Sequence, residues 1–152
     1  MSKFVTHLLT IFSLYGFFVN PVIAADLTMS EGWVRAMPPN MTRTAAYMHI
    51  DNASEKDIAL LSATCDAFNK VEIHQTVIEN DFAKMEPIEK LVIPAKGSVI
   101  LKPKSFHIML LERQRPLKEG DTVDITLSFD NDTSQTLTLP VKRGEGQMMH
   151  HH

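Results

Sequence analysis

The sequence predicts an all-β domain, an antiparallel sandwich or barrel. Short β-prone runs recur at fairly even spacing, Pro, Gly, Asn and Asp stop nearly every one of them, and no stretch carries a long helical period. In order, Trp33 to Ala36 ends at Met37-Pro38-Pro39-Asn40, and Thr44 to Ile50 is followed by Asp51-Asn52. Ile58 to Thr64 and Val71 to Thr76 come next, and a turn at Glu79-Asn80-Asp81 leads into Phe82 to Ile88. Leu91 to Ile93 stops at Pro94-Ala95-Lys96-Gly97, Val99 to Leu101 stops before Pro103, and Phe106 to Leu111 gives way to a polar turn containing Glu119-Gly120-Asp121. Thr122 to Phe129 and Thr136 to Val141 flank Asp130-Asn131-Asp132, which reads as a hairpin loop. Alternation is clearest near the end: Val123, Ile125, Leu127 and Phe129 share one face, and Thr122, Asp124, Thr126 and Ser128 the other.

The first 24 residues read as a signal peptide. Lys3 gives a basic start, an apolar run follows from Leu8 to Val19, Pro21 breaks it, and Ala24-Ala25 supplies the small residues that signal peptidase accepts, with cleavage after Ala24. The run is short for a bilayer span, and no cysteine stands near the cleavage point to take a lipid. The expectation is an exported, periplasmic protein with no membrane span after cleavage, a single domain over residues 25–142 and a Met/His-rich tail over 143–152. The chain's net charge of −3 becomes −4 once Lys3 is removed with the leader. No basic patch interleaves with aromatics, which argues against nucleic acid as a partner. Cys65 is the one cysteine, so no intrachain disulfide forms; it follows an apolar run and reads as a small buried hydrophobe.

Chemistry concentrates in a few histidines and methionines. In Phe106-His107-Ile108-Met109-Leu110, residues two apart share a strand face, so His107 and Met109 project together while Ile108 and Leu110 face the core. His74 shares a face with Glu72, opposite Val71 and Ile73, and Met85 follows on the next strand, across the Asn80-Asp81 turn. Thioether sulfur is a soft neutral donor that suits Cu(I) and has little affinity for Zn²⁺, Mg²⁺ or Ca²⁺; imidazole accepts either copper oxidation state. Two imidazoles and two thioethers carry no charge, which favours a monovalent ion. By this pattern alone the four residues are a plausible copper set, and a core role for the methionines stays open.

His74, ten residues, Met85, twenty-one residues, His107, one residue, Met109: this spacing resembles the signature of the periplasmic copper chaperones of the PCuAC family. The flanks are similar too: Trp33-Val34-Arg35-Ala36-Met37-Pro38-Pro39, Thr44-Ala45-Ala46-Tyr47, Lys70-Val71-Glu72-Ile73-His74, and Ile93-Pro94-Ala95-Lys96-Gly97. The resemblance spans nearly all of the chain after the leader, to about Val141. It implies a cupredoxin-like Greek-key fold with an exposed Cu(I) site near one end of the barrel, bound by His74, Met85, His107 and Met109. It also implies copper delivery toward the copper centre of cytochrome c oxidase, often beside a Sco-type thioredoxin-like partner. Many family members carry Met directly after the first His; here Gln75 stands there, on the opposite strand face.

A second, weaker metal set is Met148, Met149, His150, His151 and His152, whose successive imidazoles suit Cu(II). His49 has no evident partner and reads as a surface residue. Met37 and Met41, around Pro38-Pro39, are candidates to shield the site. No nucleophile elbow, zinc-protease helix or paired carboxylate beside a base is present, so the sequence does not read as an enzyme. Two alternatives stand beside the chaperone: a cupredoxin-type electron carrier, which needs a cysteine thiolate near a copper-binding histidine, and a metal-free structural or interaction sandwich.

Overall fold

The computed structural model describes residues 26–144, so the signal peptide and the His150 to His152 tail lie outside the described residues. Ten strands follow one another, with no helix among the described residues: β1 (Leu27–Arg35), β2 (Thr44–Asn52), β3 (Ile58–Cys65), β4 (Phe68–Glu79), β5 (Phe82–Pro87), β6 (Leu91–Ile93), β7 (Ser98–Leu101), β8 (His107–Arg113), β9 (Thr122–Phe129) and β10 (Ser134–Lys142). Each strand expected from the sequence is present. Seven of them close into a barrel in the order β4-β8-β2-β1-β10-β9-β3, with β3 returning to β4 through the Cys65–Phe68 pair. Strand β5 extends the β4 edge, β6 adds to β3, and β7 adds to β2. The fold is all-β and cupredoxin-like. One pairing departs from the antiparallel expectation: β1 and β10 run parallel, through Val34–Val141 and Arg35–Lys142. The two strands come from opposite ends of the domain, so no tight turn dictates their direction.

The interior is filled by the alternating apolar positions. Val123, Ile125, Leu127 and Phe129 of β9 meet Ile108 and Leu110 of β8, Ile73 of β4, and Ala46, Met48 and Ile50 of β2 in one core cluster. Strand β2 is buried on both faces, because Ala45 and Tyr47 are covered on the outer side as well. Asn52, at its end, is buried but satisfied: its amide donates to the Lys56 and Ile93 carbonyls and its oxygen accepts from Ser54.

Three local features position the residues of interest. Asn80 and Asp81 both take positive φ (48° and 66°), the geometry of a two-residue hairpin turn, so β4 and β5 stay paired out to Glu79–Phe82. This is why β4 runs well past Thr76, where its β-prone run ends. In β1 a bulge at Glu31-Gly32 (Glu31 φ 53°) faces Met48 and shifts the register, leaving Val34 in the core and Trp33 beside Tyr47 on the outer face. Strands β7 and β8 both run antiparallel to β2, and residues 102–106 bulge out between them as a loop closed by Lys102 N–H to the Phe106 carbonyl.

Ile108 is fully buried between His107 and Met109 in sequence, on the opposite face of β8. Ile108→Ala should cost about 2–5 kcal/mol of stability in urea unfolding, the range for deleting a buried aliphatic side chain.

Candidate metal centre

Strands β5, β4 and β8 lie side by side, and their register puts all four sequence-predicted ligands on one outer face. His74 and His107 are direct cross-strand partners. Met109 stands opposite Glu72, one step along that face from both histidines. Met85 stands opposite Thr76, one step the other way, while Pro87 faces His74. The methionines thus flank the histidine pair diagonally, from opposite sides. Gln75 pairs with Glu86 on the other face, as strand alternation requires.

The two imidazoles are buried, His107 to 2% exposure and His74 to 9%, with ring centres 5.6 Å apart. Two imidazoles bound to one ion at about 2 Å per bond place their ring centres about 5–6 Å apart, so this spacing fits a shared metal. The protons are committed elsewhere. Nδ1 of His107 lies 3.0 Å from the Ser105 carbonyl, which only accepts, so the ring's N–H sits there. The same carbonyl accepts from the Thr76 hydroxyl, tying the 102–106 loop to β4. Nε2 of His74 lies 2.8 Å from the Glu72 carboxylate and donates to it. What remains are Nδ1 of His74 and Nε2 of His107, both buried and both without a hydrogen-bond partner. Two desolvated lone pairs on facing rings are costly by themselves and are what a metal would take up.

The surroundings explain the protonation states. Burial pushes the His107 pKa below the ordinary histidine value; the Ser105 hydrogen bond opposes this, and His74 and Arg35 add to the lowering. Glu72 is held below the usual carboxylate range by its bond to Lys70 and then by that to His74. Tyr47 lies 6.5 Å from the His107 ring and 4.7 Å from Trp33, centre to centre, with Arg35 stacked over it; burial raises its pKa. This aromatic wall covers the β2 side. On the β5 side Met85 is 56% exposed. The histidines are buried beside Tyr47 and the 102–106 loop, whereas Met109 is half-buried and Met85 exposed, so the face opens on its methionine side.

Among the described residues no group of three or more His, Cys, Asp or Glu side chains is placed to share an ion. The register places two methionine thioethers beside the histidines on this face. Three expectations about other residues are refined. His49 has a partner after all: Glu31, carried by the β1 bulge, meets its Nε2 at 3.2 Å. Met37 lines an open cleft with Pro38, Glu119 and Arg143 that no histidine lines. Cys65 is half-buried at the end of β3 against the Asp66 carboxylate, and burial raises its pKa, the mark of an unreactive thiol. Glu72 and Ser105 had no role in the sequence reading. The Glu72-x-His74 spacing was the available signal for the first; the second depends on a loop that only folding places.

Residues 27–141 match the family model described as "Putative lipoprotein LpqE-like". The chain belongs to this LpqE-like family. Among curated proteins it is 30% identical over 124 residues to "Putative lipoprotein Lxx21020" of Leifsonia xyli subsp. xyli, covering 81% of this chain and 74% of that one. It is also 30% identical over 102 residues to an uncharacterized protein of Rickettsia prowazekii, covering 66% of this chain and 56% of that one. Among solved structures, the solution structure of CuI-DR1885 from Deinococcus radiodurans superposes with a TM-score of 0.67 at 32% identity, covering 82% of this chain and 83% of that one. The copper-bound PCuAC domain from PmoF2 superposes with a TM-score of 0.68 at 19% identity, covering 79% and 95%, a likeness of fold. The PCuAC resemblance read from the sequence holds for family and fold.

A depressed histidine pKa carries a sign. Between the ordinary value of about 6.5 and the lowered one, the unfolded chain binds the proton and the folded His107 does not. Lowering pH through that window should therefore reduce stability, and His107→Gln should flatten that part of the profile. NMR titration of the His107 ring should give a midpoint below the ordinary range.

Proposed function

We propose that this protein is an exported copper chaperone that binds one Cu(I) through His74, Met85, His107 and Met109 and passes it to an acceptor. The observation that carries the reading is the pair of buried, unpartnered nitrogens, His74 Nδ1 and His107 Nε2, on facing rings flanked by two methionines. A neutral set of two imidazoles and two thioethers favours a soft monovalent ion. Solved neighbours of this fold described as copper-bound lend support.

The chemistry is ligand exchange, not bond-making catalysis. Met85 is exposed and thioethers are weak neutral donors, so an acceptor can replace Met85 first and reach the histidines last. By resemblance the acceptor is the copper centre of cytochrome c oxidase, with a Sco-type thioredoxin-like protein as a further partner. Export to the periplasm, with cleavage after Ala24, rests on the leader's composition and on a family model and a relative described as putative lipoproteins. The tail set of Met148, Met149 and His150 to His152 is a secondary site suited to Cu(II). What supports it is its composition. The electron-carrier alternative needs a thiolate at the copper, whereas Cys65 lies on β3, paired with Phe68 and Ile125.

Met109→Leu keeps volume and polarity close to native and should leave the fold intact. It should weaken Cu(I) by tenfold or more, about 1.4 kcal/mol, in competition against a Cu(I) chelator. Cu K-edge absorption of the reduced, loaded protein should report nitrogen and sulfur ligands together. Unchanged affinity in the variant, or an intense visible thiolate band in Cu(II)-loaded protein, would overturn the assignment.

A further inference from the structure

We infer that Glu72 is a positioning residue for copper: its carboxylate holds the proton of His74 on Nε2 and so turns the Nδ1 lone pair into the site. This inference rests on the copper reading above. It starts from an asymmetry between the histidines. Both have their N–H bonded away from the site, but His107 uses a backbone carbonyl, Ser105, while His74 uses a side chain. Glu72 lies two residues before His74 on β4, so strand alternation places both on one face, and the carboxylate oxygen Oε2 meets Nε2 at 2.8 Å. Its other oxygen, Oε1, accepts from Lys70 Nζ at 2.8 Å. Both oxygens are engaged, and an ionised carboxylate only accepts, so the shared hydrogen belongs to the imidazole.

The consequence is geometric. His74 must coordinate through Nδ1, the nitrogen nearer the backbone, and His107 through Nε2, the farther one. Nδ1 reaches a shared ion only if the ring is held in one rotamer, and the bond to Glu72 is the only one the His74 side chain makes among the described residues. A carboxylate behind a metal-bound imidazole also raises its donor strength. Glu72 stands directly across from Met109 on β8, so it adds a negative charge beside a ligand set that has none of its own. Lys70, two residues before Glu72 on the same face and more exposed, fixes the carboxylate from the side away from His74.

The test pairs a measurement on metal-free protein with one on loaded protein. In the native apo protein, ¹⁵N-detected NMR should show a slowly exchanging, low-field Nε2–H on His74. Glu72→Ala should lose that signal, keep its backbone spectrum and melting transition, and bind Cu(I) about 10–100-fold more weakly in chelator competition. Glu72→Gln retains a neutral acceptor and should fall between native and Glu72→Ala. Lys70→Met should keep the Nε2–H signal. The inference is overturned if Glu72→Ala retains the Nε2–H signal, if its Cu(I) affinity stays within twofold of native, or if Glu72→Gln weakens binding as much as Glu72→Ala. A native protein that failed to bind Cu(I) would sink the copper reading instead, and the apo NMR signal would still decide whether Glu72 holds the ring.

Discussion

The centre of this molecule is one cross-strand pair. β4 and β8 are in register so that His74 and His107 face each other, each with its proton directed away from the other ring. A buried polar atom with no partner costs about 1–3 kcal/mol, and two of them lie here on rings whose centres are 5.6 Å apart. The barrel carries that cost in its core: Ile73, Ile108 and Leu110 are buried on the opposite faces of the same strands and hold the pairing. An ion that took up both lone pairs would remove the penalty and stabilise the folded state by mass action. The same arrangement therefore links stability to occupancy.

The rest of the fold adjusts the environment of that pair. The β1 bulge moves Trp33 onto the outer face, where it packs on Tyr47 and lets a strand of the barrel wall be covered on both sides. The loop between β7 and β8 brings the Ser105 carbonyl to both His107 and Thr76. These devices exclude water from the imidazoles while leaving the β4–β5 hairpin projecting past the end of the β4–β8 pairing at His74. Burial on one side and exposure on the other give the face a direction, from the fixed histidines to the open methionine. On the copper reading, that direction is the order in which ligands are released.

Charge is set at a second remove. The candidate ligands are imidazole and thioether donors that bring no anionic charge, and the charged groups beside them are Glu72 with Lys70 near His74, and Arg35 over Tyr47. Burial and nearby positive charge both keep His107 neutral, which leaves its Nε2 lone pair available. The opposite tautomers of the two rings are a consequence of different neighbours, not of any difference between the residues themselves.

Much of this was legible in the sequence because strand physics is local. Period-two alternation put His107 with Met109 and His74 with Glu72, and turn residues such as Asn80-Asp81 marked where strands end. Donor chemistry pointed toward a soft metal, and the spacing of four residues matched a known family. Register was not legible, since a one-residue slip leaves the alternation intact and moves every partner. Only the folded barrel paired His74 with His107, ran β1 parallel to β10, and carried Glu31 to His49. The sequence by itself determined the strands, their faces and the donor types, which depend on neighbours in the chain. Which nitrogen each histidine offers, and which ligand is open to solvent, were decided by the tertiary structure, because both depend on atoms that are distant in sequence or belong to a loop shaped by the fold.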